Sequence, residues 1–153
     1  MLKRECDLNY SLIAIRSEIE DYKFAYFLNK SPFFLFKRMD KDINYMLNEK
    51  NIYFSAFEDV NTGLKRESFL IKNRALYSSE LINNENLFVN NAISNTVFLI
   101  PELKEFDYLL KLIGIWRDEE TAGLKKYLHN MTNIESEISI NLNTIKSINN
   151  LVL

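Results

Sequence analysis

The stretch Tyr10-Ser-Leu-Ile-Ala-Ile-Arg-Ser-Glu-Ile-Glu-Asp-Tyr-Lys-Phe-Ala-Tyr-Phe-Leu-Asn29 changes its hydrophobic period partway along, and that change decides the fold class. Leu12, Ile13, Ala14 and Ile15 are consecutive apolar residues, the pattern of a short, central strand covered on both faces. From Ser17 onward the apolar positions spread to Ile19, Tyr22, Ala25, Tyr26, Phe27 and Leu28, the wide stripe of a helix lying on a sheet. Ser17-Glu-Ile-Glu20 matches the S-x-x-E capping box, so the helix is predicted to begin there. Ser31-Pro32 ends it, because the residue before proline is pushed out of the α region and proline has no N–H to donate.

Outward from this strand-helix unit, residues 33–39 and 52–57 read as aromatic-rich strands. The turn residues of 59–63 join the second of these to a strand at 65–74, forming a hairpin. Residues 78–95, rich in Asn, Ser and Glu, read as a long connection with a helical turn as one option. Strands are expected at 96–100 and 108–115, a helix being the alternative for the latter. Asp118 is placed to cap a second helix whose apolar face is Leu124, Tyr127, Leu128 and Met131 and which ends at Asn133. A last strand follows at 138–142, then a tail at 149–153. The expected architecture is α+β, a mainly antiparallel sheet with two principal helices packed on it, in one globular domain over residues 1–153. The segment 107–142 resembles part of the Lrp/AsnC effector domain, which implies a ferredoxin-like strand-helix-strand half. Because residues 1–153 are read to open on a strand, the helix-turn-helix that precedes such domains in transcription regulators is not expected among them.

Composition narrows the chemistry. The chain has 153 residues, 47% of them hydrophobic, with 11 Phe, 8 Tyr, 1 Trp, 3 Gly and 2 Pro, as expected of a packed core rather than a disordered chain. One cysteine, Cys6, excludes an intramolecular disulfide, and with one histidine, His129, the usual zinc ligand sets and Ser-His or Cys-His nucleophile pairs all depend on that one side chain. Gly63, Gly114 and Gly123 cannot write a Walker loop or a dinucleotide fingerprint. No cofactor is expected. The apolar run at 12–15 is too short for a signal-peptide core or a membrane span, so a cytoplasmic, membrane-free protein is expected. A net charge of −2 gives no bulk field for phosphates.

Two local groupings remain. Lys37, Arg38, Arg66, Lys72 and Arg74, interleaved with Phe36 and Phe69, have the mixture used by sheets that stack bases and hold phosphates; a solvated sheet face is the alternative. Ile100-Pro-Glu-Leu-Lys-Glu-Phe-Asp-Tyr108 gathers three acids beside a stiff strand exit. Glu102, Glu105 and Asp107 could be read as acid/base carboxylates, and Pro101, Glu102, Asp107 and Tyr108 as a partner-binding surface. The same residues also suit a turn in which the acids accept loop N–H groups and Tyr108 buries its ring.

This stretch resembles the signature of the IPExxxVDY family of bacterial proteins, associated with the Bacteroidota and of unknown function. Ile100, Pro101, Glu102, Asp107 and Tyr108 match, and Phe106 replaces valine. The strand and helix of 12–29 also resemble the family's first elements. The resemblance implies no activity, cofactor or catalytic residue. Whether the chain is an enzyme stays open. The reading is a non-enzymatic module that binds a protein partner or a second copy of itself. The alternatives are a small-metabolite sensor of the ferredoxin-like type and an RNA-associated protein.

Overall fold

Leu12, Ile13, Ala14 and Ile15 are each at most 2% exposed, because their strand runs inside a sheet with a packed layer on either side. The computed structural model describes residues 9–80 and 92–152. In chain order the elements are β1 (Tyr10–Arg16), α1 (Asp21–Asn29), β2 (Lys37–Arg38), β3 (Ile43–Leu47), β4 (Lys50–Phe54), β5 (Ala56–Asn61), β6 (Arg66–Lys72), β7 (Arg74–Glu80), β8 (Ala92–Phe98), β9 (Tyr108–Ile113), α2 (Asp118–Asn130) and β10 (Ser136–Ile140). Six strands form an antiparallel sheet in the order β10-β1-β9-β6-β5-β2, while β3-β4 and β7-β8 are separate two-stranded ribbons. The fold is α+β with two α-helices among the described residues. Because β9 and β10 both run antiparallel to the β1 between them, β9-α2-β10 is a split strand-helix-strand unit.

The period of two sorts the sheet residues between two cores. Ile13, Ile15, Leu70, Tyr108, Leu110 and Leu112 face Phe24, Ala25 and Leu28 of α1 and Leu124 and Leu128 of α2. Leu12, Ala14, Phe69, Ile71 and Leu109 face the opposite way, onto Ile43, Ile52 and Phe54 of the β3-β4 ribbon and onto Ile145, Ile148 and Leu151. Ile145 follows one short 3-10 turn and Ile148 and Leu151 belong to another, so the segment expected to be a tail contributes Leu151 to a core. It is tied down by Asn150 Nδ2 donating to Leu99 O (2.8 Å) and by the Lys111 ammonium donating to Leu151 O (2.7 Å).

Several boundaries differ from expectation for local reasons. The helix begins at Asp21, not at Ser17, and Tyr22 and Tyr26 stand outside while Phe24 turns inward. Ser17 is used elsewhere: its hydroxyl donates to Asn133 O and accepts the Ile19 N–H (3.2 Å). In residues 33–39 only Lys37 and Arg38 pair as strand, because the Asn29 side chain takes both backbone groups of Phe36, donating to its carbonyl at 2.9 Å and accepting its N–H at 2.5 Å. The hairpin β3-β4 was not expected; its turn holds Asn48 at φ 50° and Glu49 at φ 65°, the paired left-handed residues of a tight hairpin turn without its usual glycine. Ser55 divides the strand expected at 52–57, and Asn73 divides the one at 65–74. The second helix starts one residue after its cap, Arg117, whose N–H is accepted by Glu120 at 3.2 Å, and it stops at Asn130. Of the connection expected at 78–95, both ends are strand, β7 and β8, and the rest lies outside the described residues, as does Cys6. No helix among the described residues is long and apolar enough to cross a membrane.

Candidate functional site

The stretch from Ile100 to Tyr108 takes its shape from Asn73. Lys72 pairs with Tyr108 on β9, and Arg74 pairs with Phe98 on β8, so the intervening loop sits opposite one residue. Asn73 is fully buried and plugs that loop. Its backbone N–H donates to Asp107 O and its carbonyl accepts from Leu99 N, both at 2.8 Å. Its amide Nδ2 reaches Leu103 O (2.9 Å), Phe106 O (3.2 Å) and Ile100 O (3.4 Å), and Oδ1 accepts the Ile100 N–H (2.8 Å).

The sequence-predicted motif residues are each placed by this plug. Pro101 opens a 3-10 turn over Pro101–Leu103, where its missing N–H costs nothing. Glu102 accepts from the Ser147 N–H and hydroxyl, both at 3.0 Å, and so holds the C-terminal turns. Asp107 Oδ2 accepts the Ser17 N–H (2.8 Å) while Oδ1 pairs with Arg74 (3.2 Å). Tyr108 stands edge-on to Phe24 at 5.0 Å, donates its phenol O–H to Ile19 O, and has its ionisation pushed up by burial and by the charges of Asp21 and Asp107. Lys104 and Glu105 point to solvent.

The basic residues are divided. Arg66 lies at the far end of β6, only 13% exposed, with its guanidinium 4.5 Å from the Trp116 ring and doubly bonded to Glu120 at 2.6 and 2.7 Å. Lys37 is exposed opposite Glu58 on the short β2. Lys72 and Arg74 line one cleft, and Arg38 pairs with two of its acidic walls, Asp21 and Asp42.

That cleft, of about 490 Å³, opens where two strand breaks meet: Ser55, between β4 and β5, accepts the Lys72 N–H through its carbonyl at 2.9 Å. Its walls include Asp21 from the first turn of α1, Asp42, Tyr53, Arg74 and Leu76. Asp21 accepts from the Ser55 hydroxyl and the Tyr22 N–H, both at 2.7 Å, and pairs with Arg38 at 3.4 Å; Arg38 also holds Asp42 at 2.5 Å. Burial acts to raise the Asp21 carboxyl, but the Ser55 and Tyr22 hydrogen bonds and the charges of Lys72 and Arg38 outweigh it and hold the group below the usual carboxylate range. An ionised acid with filled acceptors is a poor proton carrier, so the arrangement suits binding better than acid/base work. Among the described residues, no His, Cys, Asp and Glu cluster of three or more is placed to hold a metal ion. Ser55 and Asn73 carry no signal in the sequence beyond polarity inside a strand-like run, and Asp42 none beyond its charge in the stretch between two expected strands.

The Arg66–Glu120 pair makes a pH prediction. Hydrogen bonds from Arg66 and then Arg117 pull the Glu120 carboxyl from its ordinary 4.5 down to about 2. Its folded value is depressed, so its contribution is complete above the unfolded value and is lost as pH falls through the folded one. In denaturant titrations Glu120→Gln should be less stable than the wild type at pH 7, with the gap closing between about 4.5 and about 2. A gap that stays constant over that window would contradict the assignment.

No protein-family model matches the sequence, and no curated protein or solved structure shows significant similarity to it.

Proposed function

We propose that the chain is a cytoplasmic, non-enzymatic binding module that recognises a macromolecular partner through the rim of the Asp21–Lys72 cleft. The carrying observation is that Tyr53 and Leu76 line the cleft yet stay 57% and 77% exposed. Scattered surface apolar residues need no explanation, but aromatic and aliphatic side chains framing a polar cleft are the composition of an interface centre. Met46, 65% exposed, shares the outward face of the β3-β4 ribbon with Tyr53 and extends the rim. Membership of the IPExxxVDY family is part of this proposal and rests on Ile100, Pro101, Glu102, Asp107 and Tyr108. In it, the signature residues would build the fold beneath the binding face rather than form the face itself.

Native mass spectrometry of protein purified at modest salt from its own cells tests the reading. The wild type should carry a reproducible extra mass, or a second copy of itself, and Leu76→Asp should lose it without a change in melting temperature. A bare monomer in both preparations, or a complex indifferent to both Leu76→Asp and Tyr53→Ala, would overturn it.

A further inference from the structure

We infer that the cleft takes a single carboxylate attached to an apolar body, with the carboxylate on the Lys72 ammonium and the body between Tyr53 and Leu76. The inference rests on the binding reading of the same surface and adds the chemistry of what enters it.

The charges in and around the cleft carry the argument. Asp42 is held by Arg38, Asp21 by Arg38, Ser55 and the Tyr22 amide, and Arg74 by Asp107 at 3.2 Å. Lys72 differs: its backbone N–H is used, but among the described residues its ammonium makes no ion pair or hydrogen bond and acts on Asp21 only as a more distant charge. It is also partly buried, on the face of β6 that turns toward α1. The three donors of a partly buried lysine that lines the cleft are therefore unused, while the other charged walls are already paired. Lysine cations recognise carboxylates through short, charge-assisted hydrogen bonds that strengthen as water is excluded.

The same arrangement selects among anions. A phosphate dianion would add two charges opposite one unpaired cation, beside the ionised Asp21 and Asp42, whereas a carboxylate adds one. The cleft volume falls in the range of small-ligand sites, and its apolar contribution comes from Tyr53, Ala75 and Leu76 on one rim. Either a free organic acid or the carboxylate of a peptide chain would present this chemistry.

Proton–nitrogen correlation spectra of the full chain, titrated with hexanoate, with the peptide acetyl-Ala-Ala-Leu as its free acid, and with the carboxamide of that peptide, decide the matter. Saturable shifts centred on residues 55, 72 and 76 are expected with the acids. The carboxamide, and Lys72→Gln titrated with the acids, should bind at least about tenfold more weakly, the loss of one charge-assisted hydrogen bond. Tighter binding of hexanoate than of the peptide acid assigns a free acid as the source, and the reverse order assigns a peptide carboxylate. No saturable shift, equal binding of acid and carboxamide, or undiminished binding by a Lys72→Gln protein with wild-type melting would overturn the site. The two readings fail separately. A cellular complex still broken by Leu76→Asp, in a protein that binds no acid, removes only the carboxylate; Lys72-dependent acid binding without any complex removes only the macromolecular partner.

Discussion

Asn73→Leu should lower the unfolding free energy by about 3–5 kcal/mol, with the urea midpoint displaced and the slope unchanged. The side chain is fully buried and serves three carbonyls and one N–H of the loop from Ile100 to Phe106. Leucine is similar in size but leaves those groups facing an apolar surface, at about 1–3 kcal/mol for each that finds no other partner. At this chain length the loss corresponds to a fall in melting temperature of about 10 °C or more. Asn73→Asp is the sharper control. It preserves the oxygen that accepts the Ile100 N–H but turns a carboxylate toward the carbonyls of Leu103 and Phe106, so it should be at least as damaging at neutral pH. A loss below about 1 kcal/mol in Asn73→Leu would mean that the loop holds its own shape.

Tyr108→Ala should cost about 3–5 kcal/mol, the range for deleting a buried aromatic ring, while Lys104→Ala, four residues earlier and exposed, should stay within about 0.5 kcal/mol. Tyr108 is 2% exposed, stacks edge-on with Phe24, and ties the sheet to the chain entering α1 through Ile19 O. Tyr108→Phe separates the ring from the phenol and should lose about 1–2 kcal/mol. Equal stability of the two alanine variants, measured by chemical denaturation, would undo the structural account of the motif.

These residues also show what could be read from the sequence and what could not. The run from Leu12 to Ile15 announces a strand buried on both faces because burial on two sides leaves no room for alternation. Leu124 and Leu128 announce a helix because their spacing matches its turn. Asn73 announces nothing: one polar residue inside a strand-like run looks like a surface position, and its value depends on three carbonyls that arrive from about 30 residues later. The β3-β4 hairpin was hidden because Asn48-Glu49 lacks the glycine that marks such turns. In the cleft, Lys72 and Arg74 were visible as basic residues, but Asp21 joins them through Ser55 and Arg38, partners from other elements, and Asp42 through Arg38 four residues before it. Ser17-x-x-Glu20 had the capping pattern, yet long-range partners, Asp107 and Asn133, claimed Ser17 first.

The position of β1 between β9 and β10 has a consequence for synthesis in the cell. Its register partners run from Tyr108 to Ile113 on one side and from Ser136 to Ile140 on the other. At the usual pace of translation, the ribosome needs on the order of 10 s after making β1 to supply both neighbours. Until β9 is made, the four consecutive apolar residues lack both native neighbours, and until β10 is made they still lack one, while contacts over such separations form slowly. Among the described strands, the sheet is thus completed around its first by its last two, so the nascent chain shows apolar strand surface that the finished protein buries.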